Sequence, residues 1–298
     1  MKIGIGAAQF GLDYGVSNTE GITPIAEVAK ILQQAESLDI EWIDTAPAYG
    51  DSEAVLGSCI QERRCFKIMT KTPLFDKGVI REEDIAHLRK TFILSLQHLK
   101  QSSIYGLLIH HADDLFAIDG QKLWDAMQAL KDEGLVKKIG VSVYNAEQID
   151  EALKRYAIDL VQVPVNIFDQ RLLKNGHLKK LKDRHIEVHA RSIFLQGLLL
   201  MEPSELPPYL SHAAPCLQKY HDLIKRLNMT AMDAALAFVD HLEEIDSFIF
   251  GLNNLKQLDD IVNALSFLKK DCIDFSSFAI EDPHIINPAL WGKEEISS

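Results

Sequence analysis

Eight short apolar segments recur along this chain of 298 residues, and each is followed by a longer segment with helical periodicity. Short apolar segments between turn signals are typical of buried parallel strands. Their alternation with helical patterns predicts a parallel sheet with helices packed on its outer side. The predicted strands cover residues 2–7, 41–44, 67–71, 104–110, 138–142, 160–164, 187–192 and 247–250.

Helical patterns fill the intervals between these strands. Thr23 is a capping residue followed by the first-turn proline Pro24, and apolar residues then recur on one face up to Leu38. Residues 114–134 and 255–265 carry similar apolar stripes at helical spacing. The intervals therefore favour one amphipathic helix after each strand.

Eight strand–helix units predict an α/β fold, a (β/α)8 TIM barrel. The alternative is a doubly wound open sheet, which requires a glycine-rich phosphate-binding turn leading from the first strand into a helix. The sequence here is GIGAAQ at 4–9, and a long loop follows it. We therefore predict one barrel domain over residues 1–298. The first strand begins at Lys2, so we expect no N-terminal hairpin across the barrel floor, which bulky side chains must then fill.

The interval between Arg191 and Gly251 is longer than the others and holds four of the ten prolines. Proline-rich segments of this kind favour irregular structure. We therefore expect a long loop after strand seven, which either covers the barrel mouth or is a passive surface excursion.

Charge and hydropathy exclude several classes of protein. The 31 lysines and arginines against 43 aspartates and glutamates give a net charge of −12, which argues against binding nucleic acid or an anionic membrane surface. No apolar stretch is long enough for a membrane helix, and the N-terminus lacks the pattern of a secretion signal. The four cysteines form no metal-binding or redox motif, as in cytoplasmic proteins. They are Cys59, Cys65, Cys216 and Cys272.

Polar side chains stand at the carboxyl ends of the predicted strands, which share one rim in a barrel. Asp44, Lys71 and His110 end three consecutive strands, and Tyr49 follows the first of them. An ammonium near a phenol lowers the phenol pKa from its ordinary value of about 10. A carboxylate would hold the lysine, and a histidine N–H could stabilise a developing oxyanion. This set suits protonation of the oxygen at a carbonyl carbon, and it contains no nucleophile–base pair.

The motif DTAPAYG at 44–50 resembles the signature of the aldo-keto reductases. Further similar segments follow in the same order along most of the chain. They are TKT at 70–72, LLIH at 107–110, GLVKKIGVS at 134–142, VQVPVN at 161–166 and QGLL at 196–199. The resemblance implies a TIM barrel that reduces aldehydes or ketones with a nicotinamide cofactor, usually NADPH, with NADH as the alternative. Its partner would be a small carbonyl compound, and the resemblance leaves the oligomeric state open.

The resemblance also implies a role for each matching position. Tyr49 would be the general acid, Lys71 its neighbour, Asp44 the partner of the lysine and His110 the group that orients the carbonyl. The cofactor-binding residues would be Asp44, Ser142, Gln162, Arg191, Ser192, Phe194, Gln196, Gly251, Asn253 and Gln257. No metal ligand is expected, and His111 should point away from the site.

Three positions depart from the family pattern. The usual Ser-Asn pair after strand five is Ser142-Val143, so one carboxamide contact is either lost or supplied by Asn145. Arg191 stands where many members have an aromatic residue; it either stacks on the nicotinamide or meets a substrate anion. The segment GLNNLKQ at 251–257 lacks the lysine and arginine that hold the 2′-phosphate of NADPH.

The segment QFGLDYGVSN at 9–18 resembles a bacterial subset of these reductases associated with surface-carbohydrate biosynthesis. This resemblance implies a keto-sugar substrate, with Asp13, Tyr14 and Asn18 beside it, although Tyr14 is equally suited to packing within its loop.

Two other functions compete with the reductase. A barrel that senses nicotinamide redox state with little turnover would keep the same residues. A metal-dependent hydrolase would use His110 and His111 with Asp113, Asp114 and His189, but adjacent strand residues diverge, which argues against it.

Overall fold

Eight short strands pair in parallel, each with the next along the chain, and the first also pairs with the last. The structure is a computed structural model that describes residues 3–60, 66–268 and 273–291. The strands are β1 Ile3–Gly6, β2 Trp42–Asp44, β3 Lys67–Lys71, β4 Ile104–Ile109, β5 Val136–Ser142, β6 Leu160–Pro164, β7 Glu187–Arg191 and β8 Ser247–Gly251. The predicted (β/α)8 TIM barrel is confirmed, with every strand within two residues of its expected position; Lys2 lies outside the described residues.

Helices surround the closed sheet and bury one face each. They are α1 Ile25–Ser37, α2 Ser52–Cys59, α3 Glu82–Leu99, α4 Gln121–Asp132, α5 Ala146–Arg155, α6 Arg171–Lys174, α7 His177–Asp183, α8 Ala214–Leu227, α9 Ala231–Asp240, α10 Leu255–Phe267 and α11 Pro283–Ile286. The predicted stripes are the buried faces: Val28, Ile31 and Leu32 in α1 are at most 3% exposed. Their burial against the sheet supplies the hydrophobic free energy that holds the helix ring in place.

The long interval after β7 is only partly a loop. Residues 192–213 run through a series of short 3-10 turns, as the prolines predict, and the first of these turns lies at the barrel mouth. The remainder forms α8 and α9, two helices where the other units mostly have one. The extra length of this interval is therefore largely an additional helix.

Bulky side chains fill the N-terminal end of the barrel, as expected. Trp42 packs edge-on against Tyr105 and His189, with ring centroids 5.0 and 4.7 Å away. Glu187 receives hydrogen bonds from the Tyr105 hydroxyl at 2.7 Å and from Lys138, and its other oxygen lies 2.6 Å from His189 Nε2. We call Tyr105, Lys138, Glu187 and His189 the floor cluster.

None of the helices in the described part of the chain combines the length and apolar character that crossing a bilayer requires. Cys59 and Cys216 are free thiols, whereas Cys65 and Cys272 lie outside the described residues.

Candidate active site

The inward-facing residues at the carboxyl ends of the strands open into a cavity of about 560 Å³. Strand pleating explains the grouping, since alternate residues face the barrel interior and the last inward residue of each strand meets the others at the rim. Every residue predicted for catalysis or cofactor binding lines this cavity. These are Asp44, Tyr49, Lys71, His110, Ser142, Gln162, Arg191, Ser192, Phe194, Gln196, Gly251, Asn253 and Gln257.

A buried ion pair forms the base of the cavity. The Lys71 ammonium lies 2.8 Å from each oxygen of Asp44 and donates to the carbonyl of Thr45 at 2.9 Å. Both side chains are almost fully buried, with 1% and 7% of their surface exposed. Burial lowers the pKa of Lys71 and the Asp44 charge opposes that shift. Asp44 therefore fixes the ammonium in one position.

Tyr49 is carried by the turn after β2, where two backbone segments cross. A Cβ atom on Gly11 would lie 2.0 Å from the Tyr49 carbonyl oxygen, so only glycine fits there. Gly50 has a φ of +56°, which glycine adopts without strain. Ser52 ties the turn to β1 through a hydrogen bond to the Ala7 carbonyl at 2.7 Å. The crossing therefore sets where the phenol enters the cavity.

The Tyr49 ring lies between the lysine and the histidine. The Lys71 ammonium is 4.8 Å from the ring centroid, and the His110 ring stands edge-on at 5.9 Å. The predicted net lowering of the phenol pKa by Lys71 does not appear. Burial and the Asp44 charge raise the pKa of Tyr49 well above its ordinary value, and the Arg191 charge lowers it only in part. The phenol is therefore protonated at neutral pH.

His110 is neutral in this environment. Burial, followed by the charges of Lys71 and Arg191, lowers its pKa to about 3. Its Nδ1 is buried without a hydrogen-bond partner among the described residues. His111 lies outside the cavity lining and faces Asp113 at 3.6 Å, as the strand pleat predicts. A neutral imidazole at the cavity wall can bind a carbonyl oxygen through one N–H.

Gln162 presents an acceptor to the cavity. Its amide nitrogen donates to Asp44 Oδ1 at 2.8 Å, which leaves its buried Oε1 without a partner in the described chain. Ser142 lies beside it, in register across β5 and β6. Asn145 is not part of this wall, because its side chain caps α5 by accepting from the Gln148 N–H at 2.9 Å. A primary carboxamide, which offers N–H donors, fits the Gln162 oxygen.

The backbone after β7 is strained at the cavity. Ser192, Leu195 and Gln196 have φ values of +61°, +49° and +53°, and Gly197 follows at +93°. Non-glycine residues in this region cost free energy and cluster at binding sites. Consecutive N–H groups in such conformations form concave anion-binding surfaces. Leu195 and Gly197 donate their N–H groups to the Ser192 and Phe194 carbonyls within the turn, so a diphosphate would meet only the other N–H groups of this segment.

The start of α10 already carries acidic partners. The Glu27 carboxylate accepts from the Leu255 N–H at 2.9 Å, and Glu20 accepts from the Asn254 amide at 2.8 Å. Asn253 donates to the Gly21 carbonyl at 3.0 Å, and its own N–H is held by Gln257 at 2.8 Å. Lys256, the basic residue of the segment, pairs with Asp260. Carboxylates thus already accept hydrogen bonds from the backbone and the capping residue at the N-terminus of α10.

Sequence reasoning missed several wall residues. Tyr144 packs beneath Arg191, with the guanidinium carbon 4.5 Å from the ring centroid. Gln9 lies against Gly251, where a Cβ would be 2.5 Å from the Gln9 amide. Gln9 lies within the segment 9–18 and Tyr144 lies two residues after the segment 134–142, so position near these motifs was the available signal. Met232 and Ala289 come from α9 and the C-terminal segment, and no motif marks them.

The described residues give no support to a metal centre. Within residues 3–60, 66–268 and 273–291, no three His, Cys, Asp or Glu side chains are grouped so that they could hold a metal ion.

Comparison with known proteins gives a consistent assignment. The family model described as "Aldo/keto reductase family" matches residues 2–278. Aldo-keto reductase YhdN of Bacillus subtilis is 31% identical over 212 residues, which is 68% of this chain and 61% of that protein, less than two thirds of its length.

Two further comparisons cover most of both chains. The NADH-specific methylglyoxal reductase of Escherichia coli is 24% identical over 269 residues, covering 80% of this chain and 82% of that protein. The holo form of an aldo-keto reductase from Bacillus halodurans superposes with a TM-score of 0.72 at 19% identity, covering 95% of this chain and 94% of that one. The structural likeness supports the barrel fold.

Proposed function

This chain belongs to the aldo/keto reductase family, oxidoreductases that act on carbonyl compounds with nicotinamide cofactors, and we propose that it reduces an aldehyde or ketone to an alcohol with Tyr49 as the general acid. The observation that carries the proposal is the juxtaposition of the Tyr49 ring with Lys71 at 4.8 Å and with the neutral His110 at 5.9 Å. We further propose that residues 1–298 form one barrel domain.

Each residue has a distinct task in this reaction. His110 donates an N–H to the carbonyl oxygen, and Tyr49 transfers its proton to that oxygen as negative charge develops there. The phenolate left on Tyr49 is stabilised by the Lys71 ammonium until solvent returns a proton. Asp44 keeps Lys71 charged and in place. A nicotinamide bound in the cavity would supply the hydride to the carbonyl carbon.

The cavity wall fits such a cofactor in two places. The unpartnered Gln162 oxygen and the Ser142 hydroxyl would hold the carboxamide. The strained turn from Ser192 through Phe194 to Gln196 would hold the diphosphate. Gly251, Asn253 and Gln257 would border the adenosine end. These assignments follow the resemblance, and the orphaned acceptor and strained backbone support them independently.

The resemblance implies NADPH, but the start of α10 argues for NADH. The Leu255 N–H, which could bind a 2′-phosphate, is held by Glu27, and this bond lowers the pKa of the Glu27 carboxyl so that it is charged. This carboxylate, which also pairs with Lys30 at 2.9 Å, takes the N–H that a 2′-phosphate would need and suits a ribose hydroxyl. We therefore propose NADH as the preferred cofactor. That the Escherichia coli relative is NADH-specific agrees with this proposal.

The Glu27 proposal predicts a change in cofactor preference. Glu27→Gln keeps an acceptor for the Leu255 N–H and removes the charge, so the affinity for NADPH relative to NADH should rise several-fold. Fluorescence titration of both cofactors measures the ratio. Glu151→Gln, which removes an exposed carboxylate on α5, is the matched control. A stronger affinity of the unaltered protein for NADPH would contradict the proposal.

For the substrate we propose a sugar-like carbonyl compound. The β1–α1 loop lines the cavity with Tyr14, Ser17 and Asn18, which are suited to hydroxyl groups. Asp13 stays outside the lining and accepts from Asn18 at 2.9 Å.

The reductase proposal is tested by the loss of reduced-cofactor absorbance with a panel of aldehydes, ketones and keto-sugars, with the alcohol product identified. A thermal-shift titration with NADH, NAD⁺, NADPH and NADP⁺ measures binding separately. Binding without turnover on any carbonyl would contradict the reductase and favour the redox-sensing alternative.

A further inference from the structure

Arg191 is the one cation of the cavity without an acidic partner among the described residues. The charged side chains in the lining are Asp44, Lys71 and Arg191. Asp44 and Lys71 neutralise each other at 2.8 Å. No described carboxylate lies within ion-pair distance of Arg191, although the whole chain has a net charge of −12. The cavity therefore holds an uncompensated positive charge inside an acidic protein.

Local contacts hold this guanidinium in one place. Its plane packs over the Tyr144 ring at 4.5 Å, and Nη2 donates to the Val143 carbonyl at 3.1 Å. Nη1 makes a longer contact with the Ser192 hydroxyl at 3.3 Å. A guanidinium has five N–H groups, so N–H donors remain for a ligand. A side chain fixed in this way loses little entropy on binding, which favours a specific anion contact.

The guanidinium is within electrostatic reach of the proposed reaction centre. Its charge lowers the pKa of Tyr49 and of His110, the two groups proposed to contact the carbonyl oxygen. All three side chains line the same cavity, so a molecule with its carbonyl at Tyr49 can extend toward Arg191.

A second donor faces the same space. The Tyr14 hydroxyl accepts from the Gln196 amide at 2.8 Å, which leaves its own proton for a ligand oxygen. Tyr14 and Tyr144 both line the cavity with Arg191. A cation flanked by phenol groups is a setting that recognises carboxylate or phosphate oxygens.

We propose that Arg191, with Tyr14 and Tyr144, forms a subsite for an anionic group on the substrate, so that this chain acts on carbonyl compounds that carry a carboxylate or a phosphate. The proposal rests on the reductase function proposed above. It assigns Arg191 to the substrate, whereas stacking on the nicotinamide and contact with the cofactor diphosphate are the alternatives.

The test compares matched substrates in three proteins. The substrates are 4-oxobutanoate against butanal for a carboxylate, and glyceraldehyde 3-phosphate against glyceraldehyde for a phosphate. The proteins are the unaltered chain, Arg191→Gln, and Arg89→Gln, which removes an exposed arginine paired with Glu133. We expect the ratio of kcat/KM for the preferred anion to kcat/KM for its neutral counterpart to fall ten- to a hundredfold in Arg191→Gln, because any change at Tyr49 or His110 affects both substrates alike. Arg89→Gln should match the unaltered chain.

Binding measurements separate the two proposals. Calorimetric titration with succinate and with glycerol 3-phosphate, neither of which can be reduced, should show binding that Arg191→Gln weakens at least tenfold. Such binding without turnover on any carbonyl would overturn the reductase and leave the anion subsite standing. Turnover of butanal with no anion preference, and no effect of Arg191→Gln on anion binding, would overturn the subsite alone.

Cofactor titrations address the alternatives for Arg191. The subsite is also overturned if Arg191→Gln leaves anion selectivity unchanged and weakens binding of NADH and NAD⁺ alike, as loss of a diphosphate contact would. A changed ratio of NADH to NAD⁺ affinity with unchanged anion selectivity would assign the guanidinium to the nicotinamide.

Discussion

The two ends of this barrel contain almost the same set of side chains. At the carboxyl end lie Tyr49, Lys71, His110 and Asp44, and at the amino end lies the floor cluster of Tyr105, Lys138, His189 and Glu187. Each set has a phenol, an ammonium, an imidazole and a carboxylate. The kinds of residue alone therefore do not distinguish a reactive site from a structural one.

The difference lies in what the carboxylate binds. Glu187 bonds the phenol, the lysine and the histidine of its own cluster. Asp44 bonds Lys71 and Gln162 rather than the phenol or the imidazole, and His110 Nδ1 is buried without a partner among the described residues. Glu187 thus engages the phenol, the ammonium and His189 Nε2 of the floor cluster, where only His189 Nδ1 lacks a partner among the described residues. The phenol and the imidazole of the cavity set instead line a cavity that a ligand can enter.

The largest difference between the two clusters is expected when the phenol hydroxyl of each is removed. Tyr49→Phe should reduce turnover about a thousandfold, because a general acid contributes roughly two to four decades, while cofactor affinity stays within a few-fold. Tyr105→Phe is the matched control. It should keep its activity and lose about 1–2 kcal/mol of unfolding free energy with the bond to Glu187. Steady-state kinetics and urea denaturation measure the two effects, and normal turnover in Tyr49→Phe would remove Tyr49 from the mechanism.

Replacing the two lysines should change turnover by a smaller factor than replacing the two tyrosines. Lys71→Met should lower turnover about a hundredfold and remove the alkaline limb of the pH–rate profile that loss of the Lys71 proton causes, because burial lowers the pKa of this ammonium. Lys138→Met should leave the pH profile unchanged.

Stability complicates that test, since an unpaired buried Asp44 costs about 3–5 kcal/mol. The double variant Lys71→Met with Asp44→Asn removes both charges and keeps the test valid if the single variant unfolds. An unchanged alkaline limb in the variants would contradict the role of Lys71.

The smallest expected effect is a pH dependence of stability at the floor. Burial alone would raise the pKa of Glu187, but hydrogen bonds from His189, Lys138 and Tyr105 outweigh it and lower the pKa to about 2. A lowered carboxyl pKa contributes stability that is present above the unfolded value near 4.5 and is lost as pH falls toward 2. Glu187→Gln should flatten the stability curve in that window. Denaturation midpoints at pH 3 and pH 6 measure this, and an unchanged slope would contradict the assignment.

The fold was predictable because strand and helix periodicities repeat eight times and each repeat constrains the next. The positions of Asp44, Lys71 and His110 followed, since parallel strands bring their carboxyl ends to one rim. The direction of the Tyr49 pKa shift could not be predicted in the same way. A lysine near Tyr49 suggested a lowered phenol pKa, but burial, which depends on the whole cavity, raises it. Local sequence does not reveal how much water a group keeps.

The sequence also did not predict particular side-chain and backbone contacts. Asn145 was one option for the cofactor wall, yet it caps α5, because Gln148 lies three residues on and offers its N–H. The Glu27–Leu255 contact joins residues more than two hundred positions apart, and no motif in the sequence indicates it. Such pairings depend on barrel closure, which brings the first and last strand–helix units together.

The close crossing of Gly11 with the Tyr49 turn bears on attempts to alter substrate scope by exchanging loops. The β1–α1 loop reaches the cavity from Tyr14 onward, whereas Gly11 and Gly50 leave no space for a side chain. A graft that replaces Gly11 would place a side chain against the Tyr49 carbonyl and the Ser52 N–H, so the turn that carries the phenol would have to move. Libraries of such chimeras should therefore keep both glycines and start their diversity after them.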